Sequence, residues 1–316
     1  MKKFIITVDT EGDNLWNSTI TRTGLKEITT FNARSLFRFQ KLCEQYQFIP
    51  TYLATYEMTN DRYFINLGRE ALRNNKCEIG MHMHAWNTPP LIMLPYNSRG
   101  NHPYIGEFEK KIQWEKMKYL TKFLEDTFQT NIKSFRSGRW YLDTFTLKCL
   151  KKLNYLVDCT ITPGVSWDSD LGNSMYGIDY SRNKLNKMYE LSSKNINKVG
   201  KSGIYEVPPT IMGKYEIRNF KIQKKYIWLR PNGDNLKEML WIVEKNKRNK
   251  DVDYLEFMIH SSELAAGLNP NFRSKQSIEK LYSQLNILFF EISKDYQGFG
   301  LSEYVKEKSI IRGNKL

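Results

Sequence analysis

Short apolar runs that end in acidic residues or histidines recur along this chain. Three runs have this form: residues 4–8 are followed by Asp9 and Glu11, residues 77–81 by His82 and His84, and residues 254–259 by His260. Apolar runs of this length are typical of strands that are buried on both faces, as in a parallel sheet. A parallel α/β barrel builds its active site at the carboxyl ends of its strands. The pattern therefore predicts a catalytic site that contains these five residues.

Strand-like and helix-like runs alternate over most of the chain. Predicted strands cover residues 4–8, 48–54, 77–81, 132–135, 155–160, 204–207 and 254–259. Predicted helices, with apolar residues at helical spacing, cover residues 32–46, 61–74, 107–128, 143–152, 236–247 and 278–292. About seven strands that alternate with helices favour an α/β fold with a parallel barrel over an open sheet.

One stretch interrupts this alternation. Residues 166–202 are rich in Asn, Ser, Asp and Tyr, which predicts an irregular insertion over the mouth of the barrel. The sequence contains no repeat, low-complexity tract or convincing linker. A chain of 316 residues is long enough for one large α/β domain. We therefore expect a single domain over residues 1–316.

Composition narrows the classes of function. The formal net charge is +14, from 48 Lys and Arg against 34 Asp and Glu, but the lysines are spread along the chain. No nucleic-acid-binding motif is present, so nucleic acid is not an expected partner. A solvated basic surface is one interpretation of the charge. An anionic substrate, or one attached to a membrane surface with which the protein associates weakly, is the other. The oligomeric state stays open.

Other features of the sequence concern its compartment. No run approaches the roughly 18 apolar residues of a membrane span, and residues 4–8 are too short for the apolar core of a signal peptide. We therefore expect a cytoplasmic protein without a transmembrane segment. The four cysteines lack metal-binding spacing and lie in apolar patterns, which predicts reduced core thiols: Cys43, Cys77, Cys149 and Cys159.

The spacing of the acidic residues and histidines predicts a metal site. Residues two apart on an extended segment point the same way, so His82 and His84 can face one ion, and Asp9 and Glu11 can both face the barrel axis. Two imidazoles and one carboxylate leave a coordination position open for water, as in catalytic zinc sites. The competing interpretation is that one of the histidines is an ordinary core residue. The shared location at strand ends favours the metal site.

Further candidates follow the other strands. Arg136, within Phe135-Arg136-Ser137-Gly138-Arg139-Trp140, can pair with a carboxylate and hold it ionised, with a surface arginine as the alternative. Asp158 is a candidate to orient a histidine and Trp167 a candidate to wall a sugar-binding pocket, although either can be a cap or core residue. His260 is a single histidine, and its position at the same rim is what supports it as a candidate site residue.

In series, these motifs resemble those of the polysaccharide deacetylase superfamily, the metal-dependent carbohydrate esterases of family four. The matching residues keep the family's order between residues 4 and 263: Asp9 and Glu11, Gly80 to His84, Phe135 to Trp140, Asp158 with Trp167, and Met258 to His260. The segments from His82 to Trp86 and from His260 to Leu264 are similar to those of the bacterial surface-polysaccharide branch.

The chain departs from the family pattern in two places. Trp86 stands four residues after His82, where the family's second motif has its second histidine. The second imidazole would then come from His84, or from His102 in the following loop. The adjacent Asp-Asp pair of the family is replaced by Asp9-Thr10-Glu11, which gives the metal carboxylate a longer side chain.

The resemblance implies a fold and a set of roles. It implies a distorted (β/α)7 barrel and one divalent ion, with Zn²⁺ expected and Co²⁺, Ni²⁺ or Mn²⁺ as alternatives. The implied ligands are Glu11, His82 and His84. The implied catalytic residues are Asp9 as general base, Arg136 to keep it anionic, His260 as general acid and Asp158 to orient it. The implied substrate contacts are Trp86, Trp140, Tyr141 and Trp167, with a backbone N–H near Tyr141 for the oxyanion.

The implied reaction removes an N-acetyl group from an amino sugar in a glycan or glycan precursor. A cytoplasmic location favours a lipid-linked or nucleotide-linked precursor, and the basic charge is compatible with phosphate. One alternative is hydrolysis of a ureide or formamide C–N bond on the same fold. Another is a catalytically silent glycan-binding barrel that uses Trp86, Trp140 and Trp167. The presence of both Asp9 and His260 favours an enzyme, because a binding protein needs neither base nor acid.

Overall fold

The fold alternates strands and helices around one curled sheet. The computed structural model of the chain describes residues 1–15, 28–92, 94, 104–167, 177–218 and 221–311. Its strands are β1 (Lys2–Thr10), β2 (Pro50–Ala54), β3 (Glu78–Met83), β4 (Ser134–Ser137), β5 (Val157–Asp158), β6 (Tyr189–Glu190), β7 (Tyr205–Glu206), β8 (Ile211–Arg218), β9 (Lys221–Trp228), β10 (Tyr254–His260) and β11 (Tyr296–Phe299). Its α-helices are α1 (Leu36–Gln45), α2 (Arg62–Arg73), α3 (Lys110–Phe128), α4 (Thr144–Lys152), α5 (Leu236–Arg248), α6 (Lys275–Ser293) and α7 (Leu301–Ile311).

Parallel strands form the wall of the barrel in the order β10-β1-β2-β3-β4-β5-β7. β6 adds to β7 in antiparallel orientation, and β11 pairs with the first residues of β1. The segments that follow β7 and β9 contact β10 through single backbone hydrogen bonds. The N–H of Thr210 donates to the carbonyl of Glu256, and the N–H of Met258 donates to the carbonyl of Leu229, each at 3.2 Å. The prediction of a distorted (β/α)7 barrel is therefore confirmed.

The helices cover the outside of this sheet with apolar faces. The buried face of α3 includes residues three or four apart: Met117, Leu120, Leu124 and Phe128. Helix α2 begins after Asp61, whose carboxylate accepts hydrogen bonds from the backbone N–H groups of Tyr63 and Phe64. Such an N-cap satisfies donors that the first helical turn leaves unpaired. Helical spacing and capping residues thus explain why these segments form the outer layer.

The register of the strands brings predicted site residues to one rim. Asp9 on β1 lies opposite His260 on β10, and His82 on β3 lies opposite Arg136 on β4. These four residues stand at the carboxyl ends of neighbouring parallel strands. The candidate site therefore lies at this rim.

Several elements differ from the sequence prediction. β5 and β7 are much shorter than the runs at 155–160 and 204–207 that predicted them. The β8–β9 hairpin, β11 and α7 were not predicted at all. Much of the hairpin is exposed on both faces and carries Lys, Glu and Tyr, so it lacks the apolar run on which the strand predictions rested.

The predicted insertion at 166–202 is irregular where the structure describes it, with β6 and two isolated bridges, Ser166 with Asp179 and Leu191 with Val199. Its residues 168–176 lie outside the described part of the chain. Among the described residues, no helix is both long and apolar enough to cross a membrane. All four cysteines are buried free thiols, as predicted.

Candidate metal centre

Three buried groups converge beyond the carboxyl ends of β1 and β3. Glu11 Oε2 lies 3.3 Å from His82 Nε2 and 3.1 Å from His84 Nε2. The two Nε2 atoms lie 3.1 Å from each other. These three residues form a group that could hold a metal ion. The alternation of side chains along an extended segment explains how His82 and His84 reach the same point.

The positions of these three atoms fit a metal ion. Ligand atoms that stand about 2.0–2.1 Å from a tetrahedral zinc ion lie roughly 3.3 Å from one another, close to the separations found here. His82 Nδ1 lies 3.1 Å from the Arg136 carbonyl oxygen, which can only accept a hydrogen bond. Nδ1 of His82 therefore carries a proton, and Nε2, which faces Glu11, is the nitrogen available to a metal ion. A carboxylate and two imidazole nitrogens directed at one point suit a cation between them.

The electrostatics of the group favour an ionised carboxylate. Burial by itself would raise the pKa of Glu11, but His260, His82 and His84 outweigh burial and hold that pKa well below its usual range. The pKa values of the two imidazoles shift in opposite directions. Burial opposes protonation of His82, but Asp9 and Glu11 raise its pKa. Burial, with a contribution from His82, lowers the pKa of His84. An anionic carboxylate and a neutral imidazole are the forms that bind metal.

Hydrogen bonds to the backbone fix the position of Glu11. Its N–H donates to Ser261 Oγ at 3.1 Å, and its carbonyl accepts from Asn32 Nδ2 at 2.8 Å. Asn32 Nδ2 also donates to Ser261 Oγ at 2.7 Å. Asp13 accepts from the backbone N–H of Asn32 at 3.0 Å. The ligand is thus tied to the segments after β1 and β10, and a site held in this way needs little reorganisation.

His84 is packed between Trp86 and Gly138. The Trp86 and His84 rings stack, with centroids 4.2 Å apart and 25° between their planes. A Cβ atom at Gly138 would lie 2.4 Å from His84 Cδ2 and 2.6 Å from the Met83 carbonyl oxygen, so this close approach requires glycine. Trp86, which we expected to contact substrate, lies against a candidate ligand. The alternative ligand, His102, lies outside the described residues.

Asp9 and Arg136 form a buried ion pair beside the ligand group. Arg136 Nη1 lies 2.6 Å from Asp9 Oδ1, and Arg136 Nη2 lies 3.0 Å from Glu256 Oε1. Burial would raise the pKa of Asp9, but Arg136, together with His82 and His260, lowers it. Burial raises the pKa of Glu256 in spite of the same arginine. Asp9 is therefore the carboxylate that Arg136 holds ionised.

His260 stands across the rim from these carboxylates. Its Nε2 lies 3.7 Å from Asp9 Oδ2 and 3.8 Å from Glu11 Oε1. On the other side of the ring, Nδ1 lies 2.8 Å from Arg230 Nη2 and 3.7 Å from Glu263 Oε2. Burial would raise the pKa of Glu263, but Arg230 and His260 lower it to about 2. An ionised Glu263 and a cationic Arg230, 2.8 Å apart, thus face Nδ1.

Asp158 occupies a different place from the one predicted. Its carboxylate accepts from Thr160 Oγ1 at 2.6 Å and hydrogen-bonds to Glu206. Burial raises the pKa of Asp158, and burial together with Asp158 raises that of Glu206 well above its usual range. The carboxylate found at Nδ1 of His260 is Glu263. The turn after β10 brings Glu263 there, whereas our prediction considered only residues at strand ends.

Three tryptophans form a cluster beside Arg136. The rings of Trp140 and Trp167 stack 6.0 Å apart at 13°, and Trp228 packs edge-on at 5.7 Å from Trp140 and 6.3 Å from Trp167. The Arg136 guanidinium carbon lies 5.1 Å from the Trp140 ring centroid. Arg139 and Trp140 both have φ of 58°, a left-handed conformation that is rare for residues other than glycine and concentrates at functional sites.

Tyr141, a predicted substrate contact, lies in the turn after β4. Its backbone N–H donates to the carbonyl of Gly138 at 3.4 Å, and a backbone N–H near Tyr141 for the oxyanion stays a prediction. Its ring packs at 5.4 Å from Tyr104, and its hydroxyl donates to Asp143 Oδ2 at 3.3 Å. The tight turn after β4 directs this N–H toward the carbonyl of Gly138, which the sequence did not indicate.

Four residues of the site escaped the sequence analysis: Trp228, Arg230, Glu256 and Glu263. Glu256 had a signal, because it lies four residues before His260 on the same face of a predicted apolar strand, and a buried charge implies a partner. Trp228 is the last residue of a hairpin that was not predicted, and Arg230 follows that hairpin. Glu263 stood in a quoted motif but received no role.

Comparisons with known proteins agree with the fold. No family model matches the chain, and no curated protein matches it. Among solved structures, a "putative polysaccharide deacetylase" from Mycobacterium smegmatis is 12% identical, with a TM-score of 0.58, over 99% of this chain and 92% of that chain. A 4-alpha-glucanotransferase from Thermococcus litoralis is 11% identical, with a TM-score of 0.55, over 97% of this chain and 41% of that chain.

A further similar structure is the Xyl-CE4 domain of a multidomain xylanase from the hindgut metagenome of Trinervitermes trinervoides. It is 10% identical, with a TM-score of 0.44, over 98% of this chain and 92% of that chain. At a TM-score of 0.58, the Mycobacterium smegmatis structure shows that the chain shares the fold of a "putative polysaccharide deacetylase", as the resemblance in motifs implied. The same fold also carries a glucanotransferase, so the activity must be argued from the site.

Proposed function

We propose that this chain is a metal-dependent carbohydrate N-deacetylase of the polysaccharide deacetylase superfamily. One observation carries the proposal. Glu11, which groups with His82 and His84, lies 3.8 Å from His260, and Asp9 of the buried Asp9–Arg136 pair lies 3.7 Å from the same imidazole nitrogen. A set of metal ligands, a carboxylate base and an imidazole acid around one space is what hydrolysis of an amide requires.

Glu11, His82 and His84 are the residues that would hold the ion. Imidazole and carboxylate ligands with an open position are characteristic of catalytic zinc, so Zn²⁺ is the expected occupant. Co²⁺, Ni²⁺ and Mn²⁺ suit the same ligand types. Bound there, the ion would supply Lewis-acid chemistry, polarising the acyl carbonyl and lowering the pKa of a water.

Asp9 acts as the general base. Arg136 engages Oδ1 of Asp9, which leaves Oδ2 on the side of His260, 3.7 Å from Nε2. The attacking water gives its proton to this oxygen. A carboxylate with a lowered pKa is a weak base, so its contribution depends on position and on acidification of the water more than on its own basicity.

His260 acts as the general acid toward the leaving amine. The ring must enter this step as the imidazolium, with its second proton taken up from solvent at Nδ1. The proton that goes to the amine then leaves from Nε2, which faces Asp9 and Glu11, and a neutral ring with Nδ1–H remains. Glu263 Oε2, 3.7 Å away, accepts that Nδ1–H when Arg230 gives up its contact with the ring. Glu263 is therefore the proposed carboxylate partner of His260, in place of Asp158.

The proposed substrate is an N-acetylated amino sugar in a glycan or a glycan precursor of surface-polysaccharide biosynthesis. Trp140 and Trp167 offer aromatic surface on which the apolar face of a sugar ring can pack. The net charge of +14 is compatible with a precursor that carries phosphate. The protein of similar fold from Mycobacterium smegmatis is a "putative polysaccharide deacetylase".

Metal analysis of the purified protein, combined with acetate release, tests the proposal. We expect bound Zn²⁺, acetate release from N-acetylhexosamine oligomers or nucleotide sugars, loss of this activity on chelation, and recovery when Zn²⁺ returns. Release of formate from a formamido sugar, or of ammonia and carbon dioxide from a ureide, would point to the other C–N hydrolases. Glycan binding without any hydrolysis would identify a silent binding barrel.

A further inference from the structure

One face of the β8–β9 hairpin continues the wall of the candidate site outward. Residues two apart on an extended segment share a face, and four such residues follow one another here: Lys224, Tyr226, Trp228 and Arg230. We call this set the hairpin row. Its members are spaced by about 7 Å along the chain at the rise of a strand. The row is therefore longer than a single sugar ring.

Contacts place the inner end of the hairpin row at the catalytic rim. Arg230 Nη2 lies 2.8 Å from His260 Nδ1. The Trp228 ring packs against Trp140 and Trp167, at 5.7 and 6.3 Å between centroids. The row therefore begins in contact with the proposed acid and with the aromatic cluster beside Arg136.

The middle of the row lies over the loop after β5. Gly164 has φ of +81°, and a Cβ atom there would lie 2.4 Å from Cε1 of Tyr226. This close approach seats the Tyr226 ring on the same side of the barrel as Trp167. Tyr226 is only partly buried, so part of its surface remains open beside the site.

The outer end of the row is exposed and basic. Lys224 Nζ lies 4.8 Å from the Tyr226 ring centroid, and among the described residues no carboxylate forms an ion pair with it. Tyr215, its register partner on β8, is 70% exposed. A cation over aromatic surface, without an anionic partner, is suited to an anionic ligand with apolar faces.

The opposite face of the hairpin is already occupied by the protein itself. Lys225 Nζ lies 2.7 Å from Glu238 Oε1 on α5. Lys214, its register partner, has its Nζ 5.5 Å from the ring centroid of Trp241 on the same helix. The opposite face is thus tied in part to α5, whereas the face that bears the hairpin row leads to the site.

We propose that the hairpin row binds the part of an anionic glycan that extends beyond the reacting sugar. Sugar rings pack on Trp228 and Tyr226, and a phosphate or carboxylate of the glycan pairs with Lys224. This inference rests on the proposed function. A glycan is favoured over a membrane surface because the aromatic residues form a line that ends at His260, whereas a membrane would contact only the exposed tip.

Chain-length dependence tests the row. Holoenzyme is assayed for acetate release from heparosan (N-acetylglucosamine–glucuronate) and chitin disaccharides and octasaccharides, and octasaccharide binding is followed by tryptophan fluorescence. We expect Tyr226→Ala to lower the ratio of kcat/KM for octasaccharide over disaccharide about tenfold. Lys224→Gln should lower this ratio for heparosan but not for chitin. Lys214→Gln, on the opposite face, is the matched control and should leave both ratios unchanged.

The outcomes separate the two proposals. Acetate release with equal ratios in all variants overturns the hairpin row and leaves the deacetylase standing. Octasaccharide binding that Tyr226→Ala weakens, without acetate release by the wild type, supports the row and removes the deacetylase. If the wild type binds neither octasaccharide, the row is wrong. If the wild type co-sediments with phosphatidylglycerol vesicles through Lys224 and shows no chain-length effect, a membrane is the partner.

Thermal unfolding of each variant checks that the variant is folded.

Discussion

Arg230 Nη2 lies 2.8 Å from Nδ1 of His260. A guanidinium can only donate hydrogen bonds, so Nδ1 is the acceptor and the ring proton is on Nε2, the nitrogen that faces Asp9 and Glu11. Glu263 Oε2, 3.7 Å from Nδ1, would favour the opposite state with a proton on Nδ1. The backbone N–H of Glu263 also donates to the His260 side chain. The tautomer of His260 therefore depends on the balance between these donors and the Glu263 carboxylate.

The tautomer of His260 is the first prediction. In the wild type we expect the neutral ring to carry its proton on Nε2, because Arg230 donates to Nδ1. Arg230→Met removes one of the two donors and leaves the backbone N–H and the carboxylate of Glu263, so the fraction of the ring with its proton on Nδ1 should rise. Nitrogen-15 chemical shifts of the imidazole distinguish the two tautomers. An Nδ1–H tautomer in the wild type would contradict this assignment.

Loss of stability in acid is the second prediction. The pKa of Glu263 is about 2 in the folded chain, against about 4.3 for an unperturbed glutamate. A carboxyl whose pKa is depressed by folding stabilises the fold above its unfolded pKa, and this contribution is lost as the pH falls through the folded value. The Glu263 contribution should thus be complete near neutral pH and disappear between about pH 5 and pH 2.

Comparison with Glu263→Gln isolates that contribution, because other carboxyl groups affect both proteins alike. Wild type should lose roughly 3 kcal/mol of unfolding free energy relative to Glu263→Gln as the pH is lowered over this range. Urea unfolding at a series of pH values measures the difference. A stability difference that is independent of pH would show that Arg230 and His260 do not lower the pKa of Glu263.

The two acidic residues after β1 provide the third prediction. Asp9→Asn should retain the metal, since Glu11, His82 and His84 remain, but lose about 10²–10⁴ in kcat as a general base is removed. Glu11→Ala should weaken metal binding, and added metal should partly restore turnover. Metal content and kcat of both variants decide between the roles. If Asp9→Asn loses the metal and Glu11→Ala retains it, Asp9 is the ligand and Glu11 the base.

The buried arginine provides the fourth prediction. Arg136→Met leaves Asp9 and Glu256 inside the barrel without their cation. Removal of one partner from a buried ion pair costs about 3–5 kcal/mol of stability. Arg38→Met is the control, because Arg38 pairs with Glu279 at the surface, where ion pairs contribute little. Urea unfolding of both variants tests this, and equal stabilities would mean that Arg136 does not compensate these carboxylates.

Much of the architecture was readable from the sequence, because it depends on local periodicity. Apolar runs and helical spacing alternate along the chain, and they predicted the strands that carry Asp9, His82 and His260. The spacing of two residues between His82 and His84 also indicated their common direction, since side chains alternate along an extended segment. The hairpin at residues 211–228 was missed, because exposed strands have no apolar run to reveal them.

Tertiary structure decided which of these residues act together. Arg136 meets Glu256 across 120 residues of chain, and Arg230 meets His260 across 30. No local pattern encodes such pairs, because they depend on the strand order and on the turns that follow the strands. The same reason accounts for the misplaced role of Asp158. The sequence by itself determined the ligand types and the barrel, whereas the folded rim determined that Arg230 and Glu263 are the residues at Nδ1 of the proposed acid.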